Sequence, residues 1–280
     1  MNNKTNRKTE SGVPIRVEMI RQLTLVLLLA AELIIFAFMT QNFFTTSNMI
    51  NVLRQVSITG ISSVGMFMII LLGDIDLSVG SMYAFIGVIS AIVFKTTEST
   101  CLTLVAALAL GIAIGLFNGI VTAKLHVPAF ITTLAAMSMC RGFAYIITGG
   151  SPIGVTNPKF TFLGTGYVFN LIPLPVIFMI IVLILGMILV KHTRFGRYIY
   201  SCGGNAQAAK WSGINVDKIR ITVYVIAGLL NGFAAIILAG RLGGGLQATG
   251  EGSEMDVITA VVLGGTSMSG GKGKLWGVVL

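Results

Sequence analysis

The chain has 280 residues, of which 55% are hydrophobic and only 10% are charged, whereas an ordinary soluble domain has roughly 25% charged residues. This composition excludes a soluble globular protein and predicts an integral membrane protein. The net charge of +9 does not indicate a nucleic-acid partner, because the basic residues lie at the ends of apolar runs and form no stripe with interleaved aromatic residues. The three cysteines are far apart and lack metal-ligand spacing, so they are interpreted as small apolar residues.

Seven apolar runs are long enough, or nearly so, to cross a bilayer core, which takes about 20 helical residues. The first, residues 23–39, lacks a convincing signal-peptide cleavage site and is predicted to remain as an anchor. An eighth run, from about 255 to 269, is short and rich in glycine, which predicts a tilted, broken or re-entrant segment. The sequence therefore predicts an all-α, polytopic transmembrane helix bundle over residues 23–280, preceded by a basic tail over residues 1–22. The other six runs cover residues 50–72, 77–94, 101–123, 128–148, 171–190 and 219–239.

The distribution of basic residues predicts the orientation of the bundle. If the N-terminus is cytoplasmic and each run spans, fourteen of the 19 lysines and arginines lie in inner segments or, like Arg220, at the inner end of a run. Only Lys95, Lys159 and Arg241 lie in outer segments, and the remaining two lie within runs. Because cytoplasmic loops of membrane proteins are enriched in Lys and Arg, this asymmetry favours a cytoplasmic N-terminus. The longest inner loop then covers about residues 191–218.

A short polar helix is predicted inside that inner loop, where residues 203–216 read GGNAQAAKWSGINV. Asn205 is a suitable N-cap, Ala206 to Ser212 are compatible with a helix, and Gly213 fits the left-handed position that ends one. A helix of about two turns is marginal in water by itself, because nucleation is costly. The segment is therefore either a solvated connector or a helix that docks against another protein, with Trp211 as a possible buried anchor.

Two aspartates precede the third run and invite an enzymatic interpretation as a carboxylate pair. Asp74 and Asp76 are two positions apart, so their side chains point to different sides of a helix or strand and do not converge on one atom. Asp76, followed by Ser78, is interpreted as a cap for the helix expected to begin at Leu77. The alternative is that Asp74, Asp76, Ser78 and Gly80 form a hinge or part of a translocation path near a broken helix.

Three charged residues, Glu32, Arg54 and Arg141, lie inside apolar runs. Charges in such positions are costly and face a partner or a water-filled path. In the predicted topology all three lie near the outer ends of their helices. An ion pair of Glu32 with one of the arginines is the first interpretation; lining of a polar solute path and membrane-edge snorkelling of the arginines are the alternatives.

One short motif occurs twice in the chain, and we call the two copies the internal echo: GLFNG at residues 115–119 recurs as GLLNG at residues 228–232, three predicted spans later. An odd number of intervening spans inverts the second unit relative to the first, as in many transporters. Five small and apolar residues are a weak signal in a chain with 34 glycines, so a chance match is the alternative.

Four blocks of the chain resemble the signature stretches of the ribose-type, simple-sugar permeases, which are membrane subunits of bacterial ABC importers. The similarity extends in order from about residue 40 to the last residue. The blocks are GDIDLSVGS (73–81), VPAFITTLAAMSMCRGFAYIITGGSPI (127–153), GRYIYSCGGNAQAAKWSGINVDKIRI (196–221) and AVVLGGTSMSGGKGKLWG (260–277).

The resemblance implies a transport subunit of the bacterial cytoplasmic membrane that forms the path for ribose or a related simple sugar. It also implies a second permease subunit, which could be identical or different, a pair of separate ATP-binding cassette subunits, and an extracytoplasmic sugar-binding protein. In the family the inner loop carries a coupling helix that sits in a groove of the ATPase. Its residues in this sequence are Gly203, Gly204, Asn205, Ala208, Ala209, Trp211, Ser212 and Gly213.

The residues themselves agree that ATP is bound elsewhere. A phosphate-binding P-loop has the pattern GxxxxGK[ST], and GGKGK at residues 270–274 does not fit it. We therefore expect no cofactor in this chain and no enzymatic activity, with ATP hydrolysis in a partner. Lys272 and Lys274 are interpreted as positively charged anchors at the inner membrane face.

Other functions are compatible with the same pattern. Within the transporter class, the solute could be a nucleoside or a furanone signal. An ion-coupled secondary transporter would also use intramembrane acids, but it needs no docking helix for an ATPase. A membrane enzyme would need convergent catalytic groups, and no nucleophile, base and orienting residue are visible together.

The last six residues, LWGVVL, begin another apolar run. At 1.5 Å per residue they reach only about 9 Å, against a membrane core of roughly 30 Å. Members of the family that this chain resembles have further membrane helices beyond the block at residues 260–277. We therefore expect this 280-residue form to lack the C-terminal helices of a complete permease.

Overall fold

The computed structural model describes residues 27, 29–39, 43–169 and 171–279. The chain divides into two compact units, Met1–Val52 and Leu53–Leu280. In the first unit the described residues include helix α1, Leu29–Met39. Helix α2 begins in the first unit and continues into the second, which contains all later elements.

Among the described residues, six helices are long and apolar enough to cross a membrane, so six of the predicted runs are confirmed as single helices. The described part of the first run, α1, is shorter. The eighth run, predicted as a tilted, broken or re-entrant segment, overlaps an eleven-residue helix, α11, that ends at Leu263. The six long helices are α2 (Thr46–Leu71), α3 (Val79–Thr97), α4 (Thr100–Lys124), α5 (Ala129–Thr148), α7 (Leu174–His192) and α10 (Val216–Leu242). The shorter ones are α6 (Pro158–Thr165), α8 (Arg194–Gly204), α9 (Ala206–Trp211), α11 (Ser253–Leu263) and α12 (Trp276–Val279).

Local chemistry explains where several of these helices begin and end. The Ser99 side chain accepts a hydrogen bond from the Leu102 amide and starts α4. The Asn215 side chain accepts one from the Lys218 amide and starts α10. Gly149 and Gly243 end α5 and α10 in the left-handed conformation, with φ of +58° and +68°, which costs least for glycine.

Helices α4 and α10 are in close contact, and small residues bring the two backbones together. A Cβ atom on Gly115 would lie 3.1 Å from the Gly228 Cα atom, and one on Gly228 would lie 2.9 Å from the Gly115 Cα atom. Gly111 meets Gly232 in the same way, farther along. The order of these contacts makes the helices antiparallel, so GLFNG and GLLNG lie side by side in opposite directions. An inverted repeat stays a prediction, because any two spans separated by an odd number of steps run in opposite directions.

Within the ranges that the structure describes, four two-residue strands form two antiparallel pairs outside the helices. Strands β1 (Ile153–Gly154) and β4 (Gly244–Gly245) pair with Ile153 opposite Gly245. Strands β2 (Tyr167–Val168) and β3 (Ile172–Pro173) pair directly before α7. We call the end of the bundle that carries the β2–β3 pair the hairpin end, and the end that carries α8 and α9 the α9 end.

Two non-helical stretches enter the bundle from opposite ends. Residues 72–78 follow α2 at the α9 end and lead into α3. Residues 243–252 follow α10 at the hairpin end and lead into α11. We call residues 243–252 the re-entrant stretch. Both stretches meet at the first turn of α3, because Gly80 packs against the Gly250 carbonyl.

Candidate functional site

The polar loop at the α9 end forms the helix that its sequence predicts. Asn205 ends α8, and its side-chain Oδ1 accepts a hydrogen bond from the Ala208 amide at 2.9 Å, which starts α9. Gly213 follows α9 with a φ of +83° and has open space around it. The predicted N-cap, helix and glycine terminator are therefore confirmed, with the helix ending at Trp211 and Ser212 as its C-cap.

One face of α9 is exposed and the other is packed on the bundle. Trp211 is 79% exposed, and Ala208 and Ser212 are also exposed. Ala209 is only 4% exposed and belongs to the main hydrophobic core. Ala209, which the resemblance places among the coupling-helix residues, therefore does not contribute to the exposed surface of α9, because the rotation of the helix directs its methyl group inward.

The two glycines before Asn205 differ in what they contact. A Cβ atom on Gly203 would collide with the Leu71 carbonyl and approach the Gly271 amide nitrogen at 2.8 Å. Gly204 is exposed, and a Cβ atom there would meet nothing within 4 Å. Gly203 is thus a packing residue between α8 and the end of α2, while Gly204 lies on the open side with Ala208.

A cleft of about 360 Å³ lies beside α9, between the start of α10 and the connection from α4 to α5. An ion pair forms part of its wall: Arg220 Nε lies 3.0 Å from Asp74 Oδ2, without hydrogen-bond alignment. Burial raises the pKa of the Asp74 carboxyl above its ordinary value, and the nearby Arg220 charge acts in the opposite direction. Asp74 therefore ties the stretch before α3 to the first turns of α10. The wall also includes His126, Gln207 and Lys210.

The other aspartate lies in the interior and hydrogen-bonds to Ser78, so Asp76 does not cap α3 as expected: Ser78 occupies the N-cap position, without a side-chain cap hydrogen bond. Asp76 is 3% exposed, and its Oδ1 accepts hydrogen bonds from the Ser78 amide at 2.8 Å and the Ser78 hydroxyl at 2.6 Å. Helix α3 begins at Val79, two residues later than expected from Leu77. The prediction that the two carboxylates do not converge is confirmed, since Asp74 contacts Arg220 instead.

Two asparagines of the internal echo reach the same turn of α3. Asn118 Nδ2 donates to Ser78 Oγ at 3.2 Å, and Asn231 Nδ2 lies 3.8 Å from the Met82 sulfur. Both asparagines are almost fully buried. Neither asparagine was predicted as a site residue, although each is the fourth residue of an echo, and that shared position was the available signal.

The intramembrane arginines contact backbone carbonyls. Arg54 Nη2 donates to the Thr165 carbonyl at 2.7 Å, and its guanidinium lies 4.9 Å from the centre of the Tyr167 ring. Arg141 Nη1 donates to the carbonyls of Gln247 and Thr249 in the re-entrant stretch. Glu32 lies on α1 in the first unit, so its pairing with either arginine stays a prediction.

Comparison with known proteins places this architecture in a family. Residues 48–280 match the family described as branched-chain amino acid transport system / permease component. The ribose import permease protein of Escherichia coli (strain K12) is 44% identical over 246 residues, which cover 86% of this chain and 76% of that protein. The L-arabinose transport system permease protein of the same strain is 40% identical over 243 residues, covering 87% and 74%.

A more distant relative extends the comparison to a third sugar. The xylose transport system permease protein of Haemophilus influenzae is 32% identical over 299 residues, covering 85% of this chain and 80% of that protein. No solved structure matches the chain. The family match covers most of the chain, and the six long apolar helices are those of a multi-pass membrane protein. The chain therefore belongs to the branched-chain amino acid transport system / permease component family and, within it, to the ribose-type sugar permeases.

Proposed function

We propose that this chain forms the membrane path of a bacterial importer for ribose or a related pentose, and that α9 couples it to a separate ATP-hydrolysing subunit. The substrate class is supported by the ribose, L-arabinose and xylose permeases, which are similar along most of the chain. A second permease subunit and an external sugar-binding protein complete the proposed assembly. The solute path is proposed to include the two polar stretches that meet at α3.

The observation that carries the coupling proposal is the exposed face of α9. A tryptophan that is 79% exposed on a six-residue helix gains little from its own chain, whereas Trp is enriched among the residues that dominate binding energy at interfaces. The opposite face of α9 is anchored in the core by Ala209. A force applied to Trp211 is therefore passed to the bundle through a packed contact rather than a loose loop.

Arginine substitutions at two neighbouring alanines test this proposal. In Ala208→Arg the new side chain lies on the exposed face, so the permease should fold normally but hold the ATPase away. We expect ribose uptake at least roughly tenfold slower than wild type, because the added side chain keeps the ATPase away from the neighbouring Trp211. The measurement is uptake of labelled ribose into proteoliposomes that contain the permease and its ATP-hydrolysing subunit, with loaded binding protein outside.

The matched variant Ala209→Arg should fail for a different reason. Its side chain is directed into the core, and burying an unpaired charge there destabilises the fold. We expect low yield and a lowered melting temperature in detergent for Ala209→Arg, and wild-type values for Ala208→Arg. Wild-type uptake by Ala208→Arg would exclude α9 as the coupling contact. Uptake of a nucleoside instead of ribose by the wild-type assembly would change the proposed substrate.

The orientation of the bundle is also a proposal, with α9 in the cytoplasm. Gln207 on α9 and Lys159 on α6 are exposed at opposite ends of the bundle. After replacement of the native cysteines, Lys159→Cys should react with a membrane-impermeant thiol reagent in intact cells. Gln207→Cys should react only after the cells are opened. Labelling of position 207 from outside intact cells would reverse the topology.

A further inference from the structure

The start of α11 lies deep within the thickness of the bundle. Gly80, in the first turn of α3, packs against Gly250 and against the carboxyl group of Glu254. The same turn of α3 contacts Asn231 of α10 through the Met82 sulfur. At 1.5 Å per residue, Asn231 is about 22 Å from the first residue of α10 and about 16 Å from the last. The first turn of α11 is therefore near the middle depth of the membrane.

Charged residues are exposed at this depth. Glu251 and Asp256, which flank the start of α11, are exposed, and Met255 between them is 57% exposed. We call the exposed residues Glu251, Met255, Asp256 and Thr259 the α11 face. By contrast, α7 exposes only isoleucine and leucine side chains around its middle, among them Ile184 at 47%. A carboxylate that faces hydrocarbon is costly, so the α11 face borders water or protein rather than lipid.

The backbone of the re-entrant stretch is held by an arginine from another helix. Arg141 Nη1 donates to the Gln247 carbonyl at 2.6 Å and to the Thr249 carbonyl at 2.9 Å. Gln247 Nε2 donates to the Gly150 carbonyl at 2.6 Å. Non-helical backbone at membrane depth persists only where protein or a water-filled cavity satisfies it. Arg141 thus supplies two of the hydrogen bonds that this stretch lacks internally.

Two buried acceptors beside the stretch remain unsatisfied within the described residues. Gln247 Oε1 and Glu254 Oε2 have no hydrogen-bond partner there, and Glu254 is only 7% exposed. Buried polar atoms are normally paired, so each unpaired one needs an explanation. Both atoms accept hydrogen bonds, and the groups that would satisfy them are donors such as hydroxyls.

We propose that the re-entrant stretch and the α11 face line the sugar path at mid-depth, and that Arg141 is the positioning residue that holds the stretch there. This inference rests on the proposed transport function, and it identifies residues that line the sugar path at the middle depth of the membrane. A neutral sugar carries several hydroxyl donors and no charge. Carboxylate and amide oxygens along the path accept hydrogen bonds from those hydroxyls without the need for a counter-charge.

Cysteine accessibility tests whether the α11 face borders water. In a chain whose three native cysteines are replaced by alanine, Asp256→Cys and Ile184→Cys are compared in membranes with a small, charged, water-soluble thiosulfonate reagent. Thiolates form in water and not in lipid, so we expect Asp256→Cys to react at least roughly tenfold faster than Ile184→Cys. Equal rates would overturn the proposal. An unreactive Asp256→Cys that forms a disulfide-linked dimer would also overturn it, since the face would then be covered by a second permease.

The role of Arg141 is tested by a conservative and a non-conservative variant in the reconstituted assembly. We expect Arg141→Gln to lower the maximal rate of ribose uptake roughly tenfold while the melting temperature and ATP hydrolysis change little, because the stretch is misplaced but the bundle is intact. Arg141→Lys keeps the charge and one donor and should recover part of the uptake. Wild-type uptake by Arg141→Gln, or no recovery with Arg141→Lys, would contradict a positioning role.

The two experiments separate this inference from the proposed function. If the wild-type assembly imports no ribose, the proposed substrate is wrong, but the labelling contrast between positions 256 and 184 still reports whether the face borders water. If the wild-type assembly imports ribose and the contrast is absent, only the assignment of the path fails.

Discussion

Gly115→Val and Gly228→Val are each expected to prevent accumulation of folded permease. Each glycine lies where α4 and α10 are in backbone contact, with less than 3.2 Å between an added Cβ and the opposite Cα atom. Overpacking costs typically about 1–3 kcal/mol when side chains can shift. Here the added Cβ meets backbone atoms, which cannot shift as a side chain can. Helices α4 and α10 must therefore separate, and the expected loss of stability lies at or above the upper end of that range.

The matched control for this prediction is Gly142→Val on α5, where an added Cβ meets nothing within 4 Å. Yield and melting temperature after size-exclusion chromatography in detergent are the measurements. Gly142→Val should behave as wild type, and Gly228→Ala should fall between wild type and Gly228→Val. A wild-type melting temperature for Gly228→Val would contradict the close antiparallel packing of α4 and α10.

Removal of the Arg220 charge is expected to destabilise the permease more at neutral than at acidic pH. Asp74 and Arg220 have side chains that are 11% and 26% exposed, so Arg220→Gln leaves a largely buried carboxylate unpaired. Breaking a buried ion pair costs roughly 3–5 kcal/mol, and the partial exposure of this pair places the expected loss at the lower end. The measurement is the melting temperature in detergent at a series of pH values.

The sign of the pH dependence follows from the Asp74 carboxyl. Its pKa is raised in the folded protein because burial disfavours the charged form, so its contribution to stability is greatest at low pH and is lost as pH rises through the folded-state pKa. Without Arg220 the pKa rises further, and the deficit of Arg220→Gln should shrink as the pH falls. The double variant Asp74→Asn with Arg220→Gln should recover part of the loss. A deficit that does not vary with pH and is not relieved by Asp74→Asn would show that the pair contributes no electrostatic stabilisation.

Local patterns in the sequence were sufficient to predict the long helices and the ends of α9. Six of the predicted runs are single helices that differ by a few residues at most from the expected bounds. The cap at Asn205 and the terminator at Gly213 were also predictable, because each acts through atoms within three residues. Apolar run length and helix capping are short-range properties, so neither needs knowledge of the neighbouring helices.

The partners of the charged residues could not be predicted in this way. Arg141 binds carbonyls more than 100 residues away, and Asp74 pairs with Arg220 on a helix five spans later in the chain. A run of apolar residues predicts that a charge inside it needs a partner but does not say which helix supplies one. The carbonyls of the re-entrant stretch became available as partners only because that stretch is not helical.

The sequence by itself determined the class of the protein, the positions of the six long helices among the described residues, the short polar helix and, through the resemblance of four blocks, its family. The tertiary structure decided that Ala209 is directed inward and Ala208 outward, that Asn118 and Asn231 meet the same turn of α3, and that α11 begins at mid-depth. The physical reason is that each of these depends on the rotation and axial position of one helix against another. Those quantities are set by contacts such as Gly115 with Gly228, which join residues far apart in the chain and leave no periodic signal in either helix alone.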